Sequence, residues 1–386
     1  MDIRGLFIVN STDVKEHAHA FLGSGPLGIL DVAGKSALQR MAERLQRFGV
    51  TSISAVVEAP DASLQCKIPE IDCIAAPPDR FWRAAETAFN DMAQTGAELV
   101  LVVRLGAYAE VDFERLIQFH VDRPSRVTRV VAGRQPLDIF CLSASRRNDA
   151  ASLFRSHLNR CRSEGPQMRH EGYVNQLASP CDLRQFAVDI LTRVTETCPA
   201  GKETKPGVWL APGAAIEKGA RLLAPSFIGS FARIRTGAVI TRCASVESHA
   251  VIDCGTVVEN STVLPYSYIG AGLDLAHSLA GKGHIANLRR DVTAEIADPR
   301  LMAAIAETSG KKMLDAATEF LAFLPRMMLQ SIVFAGKKPV QPDLNATLHK
   351  GSPSLGDAHG YEASACDPEA ASKFPNMVVA RRYGHQ

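Results

Sequence analysis

Between Leu210 and Leu264 every sixth residue is aliphatic: Leu210, Ile216, Leu222, Ile228, Ile234, Ile240, Val246, Ile252, Val258 and Leu264. Two residues before nine of these ten stands a small side chain, namely Ala214, Ala220, Ser226, Ala232, Ala238, Ala244, Ala250, Thr256 and Thr262. Helices and hairpins do not repeat at six. A parallel β-helix does: each turn of chain stacks on the last, the aliphatic residue fills a narrow shared core, and the small residue fits the corner beside it. The repeat predicts ten unbroken rungs, a change of pattern at Pro265, and a break in register at Tyr268-Ile269-Gly270.

The remaining residues, in a chain of 386, are enough for one or two further domains. Forty-three basic residues against 41 acidic ones leave a net charge of +2, which argues against a dedicated nucleic-acid binder. Nine cysteines without a CxxC pair read as reduced thiols of a cytoplasmic protein. The N-terminus, MDIRGLFIVN, lacks the pattern of a signal peptide, and no run reaches the roughly 18 apolar residues of a membrane span.

Ahead of the repeat, apolar runs alternate with helical periodicity. Residues 4–10, 52–57 and 98–103 read as buried strands, and 126–131 and 137–142 as further ones. Helices are expected at 36–48, where Gly49 stops the chain, and at 79–95, 112–120, 150–161 and 181–194. Such alternation predicts a doubly wound α/β domain over residues 1–198. Residues 196–207 hold Pro199, Gly201, Pro206 and Gly207 among polar neighbours and read as the linker. The coil and its exit are expected at 208–299 and a helical segment at 300–336, with helices over 300–308 and 311–323. A loose, mostly disordered tail is expected at 337–386. The apolar stretch 320–334, flanked by Lys311, Lys312, Arg326, Lys337 and Lys338, suits either a membrane surface or a packed helix. Pro325 and its uneven apolar face favour packing.

Several stretches resemble the sugar-phosphate nucleotidyltransferases, the makers of NDP-sugars. Gly25 to Lys35, with Val32-Ala33-Gly34-Lys35 at its end, resembles the family's "P-V-A-G-K-P" segment, and Phe48-Gly49-Val50 ends the helix that follows. Glu98 to Val103, then Asp112-Phe113 and Phe119-His120, resemble the strand, turn and "F-H" helix of that family. Gly172-Tyr173-Val174-Asn175-Gln176 through Pro180 is similar to "G-Y-W-x-D-I-G-T-P". Asn287 to Val292 and Ala297-Asp298-Pro299 resemble the exit from the coil in exopolysaccharide-type members. The resemblance spans about residues 3–300. It implies a nucleotidyltransferase-like α/β domain joined to a left-handed parallel β-helix, a nucleotide or sugar phosphate as ligand, and Mg²⁺ where catalysis survives.

The departures bear on the chemistry. Two anions must meet, so the site needs cations and a loop of backbone N–H donors. The family's "G-x-G-T-R-L" loop is replaced by Asn10-Ser11-Thr12-Asp13-Val14-Lys15, and its Lys before Pro falls at Gly25. Its two metal-binding Asp positions fall at Gly106 and Gln176. The resemblance therefore implies lost or impaired catalysis and a binding, regulatory or scaffold role, alone or beside an active paralogue. Candidate ligand-binding residues are Asn10, Ser11, Thr12, Gly106, Asn175 and Gln176. A rearranged metal site would draw on Asp13, Glu110 or Asp112. A hexapeptide acyltransferase is the remaining enzyme reading, with His249 as its base. An unbroken coil offers no loop to build that site, so His249, like His277 and His284, is expected to face solvent. Flat coil faces stack readily, and a homo-oligomer through the β-helix is expected.

Overall fold

The computed structural model describes residues 1–10, 27–50, 52–58, 71–123, 125–144 and 165–305. The aliphatic runs form one seven-stranded sheet: β1 (Ile3–Val9), β2 (Ser52–Glu58), β3 (Asp72–Ala76), β4 (Leu99–Arg104), β5 (Val127–Ala132), β6 (Gln135–Ser143) and β7 (Gln167–His170). Their order is β7-β5-β6-β4-β1-β2-β3. β6 alone runs against its neighbours β4 and β5; the other pairings are parallel.

Alternation along β1 divides the core. Phe7 and Val9 face α1 (Ala37–Arg47), α3 (Phe113–Val121) and α4 (Pro180–Leu191), whereas Leu6 and Ile8 face α2 (Phe81–Gln94). Both faces of the sheet are covered by helices, as a mostly parallel sheet requires. The helices begin where cap residues allow: Ser36 Oγ accepts the Gln39 N–H at 3.1 Å, Asp112 Oδ1 that of Arg115 at 3.0 Å, and Ser179 Oγ that of Asp182 at 3.2 Å.

The hexapeptides form a three-faced coil of parallel strands. Val208 pairs with Ser226 and Ser226 with Ala244, so one turn takes 18 residues, three hexapeptides. Ile228, Ile234, Ile240, Val246, Ile252 and Val258 are fully buried in its core. Ala232, Ala238, Ala244 and Ala250 are fully buried beside them. One corner is built from Gly219, Gly237, Gly255 and Gly272, all at positive φ, which costs a residue without Cβ nothing.

The ladder differs from expectation at both ends. Ile216 is 38% exposed in the first turn, where strand Ala215–Ile216 has a neighbour on one side only. Near the other end one turn is a residue short: Ser245 pairs with Thr262 and Val251 with Tyr268, steps of 17. The residue lost lies at the corner near Asn260, which takes φ +44°. Val263 therefore enters the core in place of Leu264, and Leu264 joins the α/β core instead. Tyr268-Ile269-Gly270 is out of register, as expected, but the coil continues there, with Ile269 and Leu275 in its core one residue early.

The exit is also corrected. Met302–Ala304, inside the helix expected over 300–308, is a strand antiparallel to Ser267–Ile269. Its carbonyl and N–H groups close the open edge of that face, which outweighs a short helical pattern. The expected helices at 150–161 and 311–323, the apolar stretch 320–334 and the tail 337–386 lie outside the described residues.

Residues 1–305 form one compact unit. One face of the coil packs on the α/β core through Ala211, Phe227, Leu264, Leu279 and Ala286. The stretch read as a linker is structured: Lys202–Lys205 pairs antiparallel with Val208–Leu210 and closes the first edge of that face. A buried arginine on α4 ties the two parts, and a second on α1 holds the α/β unit to the stretch before the coil. Arg184 on α4 donates to Cys243 O at 2.7 Å, Asn260 Oδ1 at 2.8 Å and Asn260 O at 3.2 Å. Arg40 on α1 donates to Val32 O and Cys198 O, both at 2.8 Å, and to Thr197 Oγ1 at 2.7 Å.

Candidate functional site

From β1 the chain moves through β2 to β3 on one side, then returns through β4 to the other side of β1. Connections diverge at such a reversal and leave a crevice at the carboxyl ends of the two strands. Asn10 follows β1 there, and Arg104 ends β4. Arg104 Nε donates to Asn10 Oδ1 at 3.2 Å, and its Nη1 lies 3.6 Å from Asp138 on β6. Asp138 takes φ +53°, uncommon for a residue with a side chain. The Arg104 guanidinium also stands 5.8 Å from the ring centre of Trp82, in the first turn of α2. Buried Glu58 ends β2 on the same edge. The rim is tight, because Gly28 sits against the Leu105 side chain with no room for a Cβ.

The expected site residues divide. Asn10 and Gly106 reach the crevice; Gly106 follows Leu105, its N–H donating to Arg104 O at 2.9 Å. Ser11, Thr12 and Asp13 lie outside the described residues. Glu110 is buried and already engaged: its carboxylate accepts the Glu196 N–H at 2.9 and 3.0 Å and the Thr197 N–H at 3.2 Å. The Tyr108 hydroxyl donates to it at 3.3 Å, and burial, followed by that carboxylate, pushes the phenol up. Asp112 is spent on the cap of α3. Asn175 Oδ1 accepts the Leu177 N–H at 3.0 Å, and its Nδ2 donates to Asp182 O at 2.9 Å, so it shapes the 175–182 turn. Gln176 Nε2 lies 3.4 Å from Gln135 Oε1. Among the described residues, no three His, Cys, Asp or Glu side chains converge as a metal site.

His249 is half-buried at a corner of the coil, its ring between Phe231 (5.2 Å) and Tyr266 (4.7 Å), one aromatic per turn. All three residues take φ near +55° to +57°. Covered on both ring faces, His249 is more a structural rung than the solvent-facing turn residue expected. Asn260 Nδ2 and His277 Nδ1 are 2.7 Å apart at another corner.

Arg104 and Glu247 were missed although the sequence carries a signal for each. Arg104 is the single charge closing the run Leu99-Val-Leu-Val-Val-Arg104, and a cation at the end of a buried strand is itself a signal. Glu247 is fully buried, and burial pushes its carboxyl up to about 7. Its signal lay in the repeat. The residues that follow rungs on this face are Ala211, Gly229 and Glu247, and an acid among small residues on a packed face is anomalous.

Compared with known proteins, the chain matches no family model and no curated sequence.

Proposed function

We propose that the chain is a nucleotidyltransferase-like protein of NDP-sugar or exopolysaccharide metabolism that binds a nucleotide or sugar phosphate without turning it over at enzymatic rates. The α/β unit with a strand reversal, fused to a parallel coil, supports the family reading; in that reading the coil is left-handed. One observation carries the loss of catalysis. Two of the three carboxylates named for a rearranged metal site, Glu110 and Asp112, are occupied by backbone N–H groups, and the third, Asp13, lies outside the described residues. Mg²⁺ binds through one or two free carboxylates together with substrate phosphates, and a carboxylate holding the chain in place is a poor donor. Glu110 and Asp112 thus hold the fold, and Arg104 supplies the fixed positive charge at the crevice.

The role that follows is binding, regulation or scaffolding in the cytoplasm, as a homo-oligomer formed through the coil or beside an active paralogue. No helix of the described residues is long and apolar enough to cross a membrane.

Two measurements test the reading on the full chain. Pyrophosphate release is followed with several nucleoside triphosphates and sugar 1-phosphates in Mg²⁺. Turnover of about 1 per second or faster, an ordinary enzyme rate, overturns the loss of catalysis. Calorimetry with the same compounds and with NDP-sugars then reads binding. Arg104→Ala is expected to weaken it about tenfold or more, in keeping with a charge-assisted contact to phosphate. Equal binding by the variant removes the crevice from the proposal.

A further inference from the structure

A carboxylate of the coil grips a turn on the segment that also forms the rim of the crevice. Glu247 accepts the Ala33 N–H on Oε1 at 2.8 Å and the Gly34 N–H on Oε2 at 2.9 Å, and the Ser245 hydroxyl donates to Oε1. Ala33 (φ +49°) and Gly34 (φ +85°) form the tight turn between Asp31–Val32 and Lys35–Ser36. Gly34 presses on Phe227 of the coil; a Cβ there would approach the ring to 2.7 Å. The same segment begins with Leu27–Ile29, and its Gly28 lies against Leu105, the residue after Arg104. The turn held by Glu247 thus runs directly into the crevice rim.

The charges around this grip are unbalanced. Asp31 on the hairpin is a second carboxylate, itself pushed up by burial. Arg40 on α1 is the buried cation of this neighbourhood, and its donors go to Val32 O, Ala33 O, Cys198 O and Thr197 Oγ1. Buried Tyr108 also lies within reach of Arg40's charge. Lys35 is paired with Glu43 at 2.6 Å, and Arg184 on α4 with backbone groups of Cys243 and Asn260. Three hydrogen bonds favour the charged form of Glu247, yet removal from water outweighs them.

We propose that Glu247 is a proton-controlled latch between coil and crevice: protonated, it reverses the Ser245 contact by donating to Oγ and still accepts from the Ala33–Gly34 turn; ionised, it draws water into the interface and loosens that turn and the segment that leads from it to the crevice rim. Since the carboxyl is pushed up to about 7, the latch works across the neutral range. The device is independent of what the crevice binds.

Hydrogen exchange of the full chain, read by mass spectrometry at about pH 6 and about pH 8 and corrected for intrinsic rates, tests it. Peptides covering residues 31–36 are expected to lose protection about tenfold between the two, one pH unit past the titration. Glu247→Gln is expected to abolish that loss. Asp31→Asn removes the neighbouring negative charge, so the transition shifts to lower pH; this variant serves if the glutamine does not fold. Protection independent of pH in the unmodified protein overturns the latch. So does a transition that survives in Glu247→Gln, or one that Asp31→Asn leaves in place.

Discussion

The coil and the α/β sheet bury similar side chains by opposite means. In the sheet, strands of four to nine residues draw partners from far along the chain, and helices cover both faces. In the coil, strands are mostly two or three residues long, and each one inside the stack is paired by the turns before and after it. A coil strand would be far too short to stand alone. It persists because the identical step repeats, so that stability is a sum over neighbouring turns. Repetition makes the coil readable and leaves little room for chemistry. The sheet is harder to read, and its strand ends at the reversal leave a crevice.

That contrast breaks hardest at the core of the coil. Ile240 is fully buried, and Ile240→Ala is expected to cost about 2–5 kcal/mol through lost burial and the cavity left behind. Denaturant unfolding reads the loss; an unchanged midpoint would mean that the turns do not depend on one another. Next comes the seam. Arg184→Ala orphans the carbonyls of Cys243 and Asn260, and a loss of about 3 kcal/mol is expected. If coil and sheet are independent modules, the single unfolding transition splits into two, visible by calorimetry; if they fold as one, it moves intact.

An effect of similar size is read with pH. The carboxyl of Glu247 rises from an ordinary 4.5 to about 7 on folding, so between those values the native protein holds a proton that the unfolded chain has released. Stability from this group is therefore present below about pH 4.5, falls as pH rises, and levels off above about pH 7. The amplitude is on the order of 3 kcal/mol. Thermal melts across this range check it; Glu247→Gln should flatten the slope. The smallest effect is expected at the open first turn. Ile216→Ser, at a rung that is 38% exposed, should change stability by no more than about 0.5 kcal/mol. A loss as large as that of Ile240→Ala would mean that the first turn is covered in solution, as an oligomer through the coil would do.

Legibility followed the same division. Strands β1, β2 and β4 are continuous aliphatic runs, and α1 carries its cap at Ser36 and its stop at Gly49, so these were visible at once. β3 was not, because Asp72 to Ala76 is a half-buried edge strand and carries no clear pattern. The shortened turn was hidden because Val263 and Leu264 are both aliphatic, and a scan by residue class accepts either. The strand Met302–Ala304 was hidden because its reason for existing is a distant open edge. At the crevice, Asn10 and Gly106 were reached through the family resemblance. Asp138 and Trp82 were not, since only the fold brings residues from β6 and α2 to the end of β4.

The missing residue near Asn260 has one more consequence. In a stacked lattice a fault of this kind does not heal; it travels to the end of the stack. Every layer after Asn260 keeps its place in space but is written one letter early in the sequence. The seam face shows the result: Glu247 opposes the α/β unit before the fault, and Leu264 occupies the corresponding place one layer later. A single-residue deletion at a corner is thus an inexpensive mutation for the backbone and a large one for the spelling of everything downstream. Chains of this kind can therefore drift out of phase with one another while their solids remain superimposable.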